Sequence, residues 1–218
     1  MSVSIRDIDN DNASFSEGTL TDVEAVNDNL KIGKKPVLDF DGTNDYIDCG
    51  SNNPLTTFED QNFTISAWVR ANSMNTDKNI FVKIGGNALG DASAYRYMIS
   101  IRNQSVFGEI DDNSNLTKIT GNTTLNIGEW YFLSFVRDYG NELRVYVNGV
   151  LDNTVTDDVT GSLADANGLS TIGVAGWDAG YFDGQISSVR IYNEALDKYE
   201  LQNAMYCDYE DLSGIYNK

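Results

Sequence analysis

Residues 130–155 read Trp130-Tyr131-Phe132-Leu133-Ser134-Phe135-Val136-Arg137-Asp138-Tyr139-Gly140-Asn141-Glu142-Leu143-Arg144-Val145-Tyr146-Val147-Asn148-Gly149-Val150-Leu151-Asp152-Asn153-Thr154-Val155. Three runs rich in aromatic and β-branched residues, 130–136, 143–147 and 150–155, are parted by turn chemistry. Asn148-Gly149 is the strongest of these signals, because the pair supplies both positive φ values that a type I′ turn needs. The stretch therefore predicts consecutive antiparallel strands.

The same grammar extends outward. Phe63, Ile65, Ala67 and Val69 share one face of a strand, with Thr64, Ser66, Trp68 and Arg70 on the other. Further strands are predicted at 81–84, 95–101, 106–110, 116–119, 170–173 and 182–192. Upstream, 36–40 passes through Asp41-Gly42-Thr43-Asn44 into 45–49, which reads as a hairpin. Only Asp197–Met205 reads as helix, with Asp197 as N-cap, Glu200 three residues later, and Leu201 and Ala204 on one face. The pattern predicts an all-β chain: an antiparallel two-sheet jelly-roll sandwich with one short late helix. Residues 36–206 form one domain, 1–35 a polar arm or edge segment, and 207–218 a tail. Neither an interdomain linker nor a repeat of fixed period is visible.

Composition narrows the chemistry. The 218 residues carry 15 Lys plus Arg against 33 Asp plus Glu and no His, a net charge of −18. Without His there is no Ser-His-Asp triad, no Cys-His pair and no His-ligated zinc. Nucleic acid is excluded as a partner, because phosphate neutralisation needs clustered cations. No apolar run approaches the roughly 20 residues of a membrane span, and the N-terminus shows no signal peptide. Asp and Asn, 24 of each, favour turns and are also hard oxygen ligands suited to Ca²⁺. Cys49 and Cys207 either pair or remain buried thiols.

Leu38–Asp48 (LDFDGTNDYID), Phe63–Val69 (FTISAWV), Gly184–Leu196 (GQISSVRIYNEAL) and the Trp130-Tyr131 and Leu143–Gly149 segments occur in this order. Together they resemble the laminin-G-like, concanavalin A-like family of jelly rolls, over roughly residues 37–205. The resemblance implies a sandwich with functional loops at its rim. It also implies a role among carbohydrate-binding modules, adhesion domains, enzyme accessories and particle components, with some glycosidases among the relatives.

Those glycosidase relatives use Glu-x-Asp-x-x-Glu on one strand, which places a nucleophile and an acid on one face. Here the segment is Glu109-Ile110-Asp111-Asp112-Asn113-Ser114, with Ser114 where the proton donor belongs. Its turn-rich continuation suggests a loop, so no catalytic residue is expected. Asp41, Asn44 and Asp45 crowd one turn and offer a Ca²⁺ cup. The resemblance implies a closing acid in the later Gly-x-Ile-Asp segment; Ser187 stands there, and Asp183 is the substitute. Plain turn residues are the competing reading.

Two loops, 85–95 and 173–183, match by chain order the ligand-carrying loops of lectin-like relatives. Trp177 could offer a flat apolar face to a sugar ring, with Asn87, Asp91 and Asp178 as hydroxyl acceptors and Tyr95 and Tyr181 beside them. Trp68 and Trp130 are expected to serve packing. The leading expectation is a non-catalytic carbohydrate-binding or adhesion module with a structural calcium site, acting on a glycan or glycosylated surface. The alternative is a structural surface protein of a virus or phage particle that meets other subunits through its N-terminal arm. Either places the chain outside the cell or on a virion surface.

Overall fold

The computed structural model describes residues 3–6, 15–21, 24–26, 37–51, 58–85, 95–164, 167–175 and 180–213, with side chains described between 37 and 206, Tyr95 excepted. In chain order the strands are β1 (Val3–Arg6), β2 (Phe15–Thr21), β3 (Glu24–Val26), β4 (Val37–Asp41), β5 (Tyr46–Asp48), β6 (Phe63–Ala71), β7 (Lys78–Ile84) and β8 (Tyr95–Arg102). They continue as β9 (Ser105–Asp111), β10 (Leu116–Thr120), β11 (Trp130–Asp138), β12 (Glu142–Val147), β13 (Val150–Thr156), β14 (Ser170–Ile172) and β15 (Asp183–Tyr192), followed by α1 (Lys198–Ser213). The described strands form two antiparallel sheets, ordered β1-β2-β5-β14-β7-β8-β9-β10 and β13-β12-β11-β6-β15-β4-β3. The expected two-sheet sandwich is the observed fold.

The sheets meet because alternate residues on each are apolar. Phe63, Ile65, Ala67, Val69, Leu133, Phe135, Leu143 and Val145 from one sheet share a buried core with Ile47, Phe81, Tyr97, Ile99, Val106 and Ile110 from the other. Phe63 is the aromatic centre, stacked on Phe58 at 4.8 Å and edge-on to Phe135 at 5.7 Å. Gly108 is required at the closest crossing: a Cβ there would lie 2.5 Å from the Phe135 ring. Within this core Arg137 and Asp157 form a fully buried pair, Nε to Oδ2 at 2.8 Å, and Arg137 also donates to the Val159 carbonyl at 2.6 Å.

The meander of the opening stretch forms as its residues predict. β11 pairs β12, β12 pairs β13, and Asn148 and Gly149 take φ values of 53° and 72°. The predicted hairpin at 36–49 does not form. β4 belongs to the seven-stranded sheet and β5 to the eight-stranded one, so the Asp41–Asn44 turn carries the chain from one sheet to the other. Alternation reads the same in both cases, because Phe40 and Ile47 are core residues whichever sheet holds them. The 1–35 segment contributes three strands: β2 pairs β5 with Leu20 opposite Ile47, and β3 pairs β4 with Ala25 opposite Leu38.

Helix α1 runs past the predicted end at Met205, to Ser213. Its start is as expected. Asp197 Oδ1 accepts the Tyr199 and Glu200 N–H groups, and Glu200 returns a bond to the Asp197 N–H at 2.7 Å. Leu201, Ala204 and Met205 cover Phe132, Tyr146 and Trp68 on the outer face of the seven-stranded sheet. Trp68 therefore packs, as expected, 5.6 Å from Phe132. No described helix is long and apolar enough to cross a membrane.

Candidate functional site

The residues expected to hold calcium meet at one corner of the seven-stranded sheet. Asp41 lies directly opposite Asp183 in the β4–β15 ladder, and a Cβ on Gly42 would stand 2.8 Å from that of Asp183. Turn bonding engages the rest of the set. Asp45, buried, takes the Asp41 N–H at 2.7 Å through Oδ2, while Asp41 Oδ1 takes the N–H of Thr43 at 2.7 Å and of Asn44 at 3.4 Å. Among the described residues no three acidic or Cys side chains already surround a common point as metal ligands. What the corner offers a cation is the facing Asp41 and Asp183 pair.

Of the expected ligand residues, Asn87, Asp91, Trp177 and Asp178 lie outside the described residues, and Tyr95 is described by its backbone at the start of β8. Tyr181 is half-buried, and its carbonyl accepts a bond from Lys78 Nζ at 3.2 Å. Thr171 Oγ donates to the Val174 carbonyl at 2.6 Å, so the chain leaving β14 folds back over the outer face of the eight-stranded sheet. There Ala175 is buried with Val82, Ile84, Met98 and Phe107. Five residues on, the Gly180 carbonyl accepts both the backbone N–H and the side-chain amide of Asn79. Both ends of the segment carrying Trp177 are thus anchored on β7.

Glu109 lies on a strand, as expected for 106–110, and not in the loop that its turn-rich continuation suggested. It sits on β9, outward-facing and buried, because Val106 and Ile110 turn inward and set the alternation. Its carboxylate is 3.3 Å from Lys118 Nζ and 3.8 Å from Arg102, whose guanidinium lies over the Phe107 ring and bridges to Asp77 at 2.8 Å. Ser114 is off the strand, in a turn where its N–H caps Asp112 at 2.7 Å. Burial acts to raise the Asp112 pKa, but the N–H groups of Asn115, Ser114 and Gly161 outweigh it and hold the carboxyl below its usual range. Glu109 is thus a carboxylate paired with two cations in an ion-pair network, and Ser114, which holds the place of the second Glu in the glycosidase motif, lies off that strand.

Two antiparallel sheets around one apolar core, loops anchored at the strand ends and a capping helix define a jelly-roll domain of the lectin type. The chain belongs to the concanavalin A-like lectin/glucanases superfamily, whose family pattern matches residues 41–202. Among solved structures it is similar to domain 4 of AbnA, a GH43 extracellular arabinanase from Geobacillus stearothermophilus, in complex with arabinotriose. That likeness has 20% identity and a TM-score of 0.60, covering 93% of this chain and 87% of that one. It is also similar to the receptor binding domain of botulinum neurotoxin D, at 16% identity and TM-score 0.65, over 96% of this chain and 52% of that one. The botulinum neurotoxin serotype D ligand binding domain in complex with N-acetylneuraminic acid gives 14% identity and TM-score 0.64, over 95% and 50%. The chain thus spans about half the length of these toxin domains. No curated protein matches it.

Proposed function

We propose that this chain is a non-catalytic carbohydrate-binding module, working outside the cell or on a particle surface. The observation that carries the reading is the match of nearly the whole chain to nearly the whole of an arabinanase domain bound to arabinotriose. The toxin domain bound to N-acetylneuraminic acid, a sugar of different chemistry on the same fold, points the same way. Locally, Glu109 without a partner acid supports binding rather than hydrolysis. At the described ends of the 173–183 loop, Ala175 and Gly180 are tethered to the eight-stranded sheet, a base of the kind that lets a loop present sugar-binding side chains. In this proposal Trp177, Asp178 and Tyr181, with Asn87, Asp91 and Tyr95, form the loop site, and Ca²⁺ binds at Asp41 and Asp183 as a structural ion, with Asn44 and Asp45 shaping the turn.

The test is a broad glycan array read with and without Ca²⁺. Binding that weakens in Trp177→Ala supports the module and its loop site. Silence on every glycan in both conditions overturns the reading.

A further inference from the structure

The outer face of the seven-stranded sheet is divided in two. Helix α1 covers the part built from Trp68, Phe132, Val136, Tyr146 and Tyr192. Towards the end of β6 lies a row in strict register: Trp130 on β11 opposite Arg70 on β6, Arg70 opposite Gln185 on β15, and Gln185 opposite Asp39 on β4. All four side chains point outward, because their neighbours Tyr131, Val69, Ile186 and Leu38 are core residues. All four are half-buried.

The sequence expectation for Trp130 was packing, yet its ring joins none of the apolar clusters that hold the sandwich together. Trp68, two residues from Arg70 on the same face of β6, shows what a packed indole looks like here: it lies against Phe132 beneath α1. Trp130 thus sits partly buried on an outward strand position, outside those clusters, where an indole can offer ring surface to a ligand. Beside it the Arg70 guanidinium is held in place, Nε donating to the Gly128 carbonyl at 2.8 Å and Nη1 to Gln185 Oε1 at 3.3 Å. Gly128 is itself tied to Ala71 by its N–H at 2.8 Å, so the 126–129 loop, with Ile127 57% exposed, is fastened next to the indole.

We infer that Trp130, Arg70, Gln185 and Asp39 form a second sugar-binding surface, on the sheet face opposite the loop-anchoring sheet, for a short neutral oligosaccharide lying across the strands. The inference rests on the carbohydrate-binding reading and adds a site to it. An indole face, a guanidinium, a carboxamide and a carboxylate in line supply one apolar platform and alternating donors and acceptors, the chemistry a ring with several hydroxyls needs. Three interstrand steps span about 14 Å, longer than one sugar ring requires. Charge selects the neutral class. The protein carries −18, the row's one cation is already engaged by two oxygens, and Asp39, Asp41 and Asp183 crowd one end. An acidic glycan would be repelled there.

The experiment uses the full chain on an array of neutral and acidic oligosaccharides, followed by calorimetry with the best neutral ligand. Arg70→Ala, Gln185→Ala, Trp130→Ala and Trp130→Phe are compared with Trp177→Ala, each first checked for an unchanged melting curve. The expected result is two sites per chain. Trp130→Ala and Arg70→Ala should weaken one of them at least about tenfold, Trp130→Phe should keep most of it by retaining a ring, and Trp177→Ala should leave it intact. If Trp130→Ala fails to fold, Gln185→Ala carries the test, since it removes an outward amide and leaves the Arg70 bond to the Gly128 carbonyl in place. Neutral-sugar binding of unchanged affinity and stoichiometry in all row variants overturns the second site and leaves the module reading standing. Binding confined to acidic glycans likewise overturns the row alone. An array silent for the wild type overturns both.

Discussion

Asp41 and Asp183 stand directly opposite each other on β4 and β15, two carboxylates paired across an antiparallel ladder. Like charges in that relation destabilise a sheet, and at a net charge of −18 the surroundings add to the repulsion. A divalent ion bound between them would remove the conflict and, needing the folded ladder, would bind the folded chain alone. At a hundredfold excess over its dissociation constant it would stabilise by about 2.7 kcal/mol. Calorimetric melting is expected to give a higher Tm in millimolar Ca²⁺ than in chelator, with the difference lost in Asp41→Ala and Mg²⁺ substituting poorly. In chelator, Asp183→Asn should melt higher than the wild type. Identical melts in Ca²⁺ and chelator would return Asp41, Asn44, Asp45 and Asp183 to the status of turn residues.

Gly108 is a point where the two sheets approach closely. A methyl group there would press into the Phe135 ring at 2.5 Å. Neither can retreat, since Phe135 also packs on Phe63. Gly108→Ala should cost about 1–3 kcal/mol through overpacking, read as a lower urea midpoint at unchanged m-value. A neutral or stabilising result would mean the sheets separate freely at this crossing.

The Arg137–Asp157 pair gives the core one uncompromising polar contact. Asp157 also accepts the Val159 N–H at 3.0 Å, so its removal strands both a buried guanidinium and a backbone donor. Asp157→Ala is expected to lose about 3–5 kcal/mol in denaturant unfolding, whereas Glu142→Ala, at a half-exposed surface pair, should lose under about 1 kcal/mol. Equal losses from the two would refute the core role.

Cys49 supplies a pH signature. Burial first, and then the charge of Asp48, pushes its thiol up to about 12. Because the folded value lies above the ordinary thiol range, the associated stability is intact below about pH 8.5 and is lost as pH rises towards 12. In a Cys207→Ser chain, a thiol-directed reagent at pH 8 should leave Cys49 unmodified until denaturant opens the sandwich. Rapid labelling of the native chain would show that the thiol is reached without unfolding.

Much of the architecture was legible in linear form. Alternation in 63–69 named the inward face of β6 residue by residue, 130–136 was legible as a strand, and Asn148-Gly149 named a hairpin turn. The N-cap at Asp197 was equally local, because its partners lie two and three residues away. The Asp41–Asp183 meeting was drawn from family resemblance and not from spacing. Glu109 could be read as the end of the 106–110 strand or the start of a loop, and its pairing with Met98 and Lys118 on the neighbouring strands makes it strand.

The division between the two levels follows from range. By itself the sequence determined the strand-forming segments, their buried faces, the turns at glycine and asparagine, the acidic character, and the exclusion of histidine-dependent chemistry, since each depends on neighbours within a few residues. Only the tertiary structure decided that β4 and β5 part into different sheets, that Arg137 finds Asp157 inside the core, and that Trp130, Arg70, Gln185 and Asp39 line up across four strands. A strand's own residues state which face is buried. Which strand lies beside it is set by packing the whole sandwich, and a registered row exists only once that choice is made.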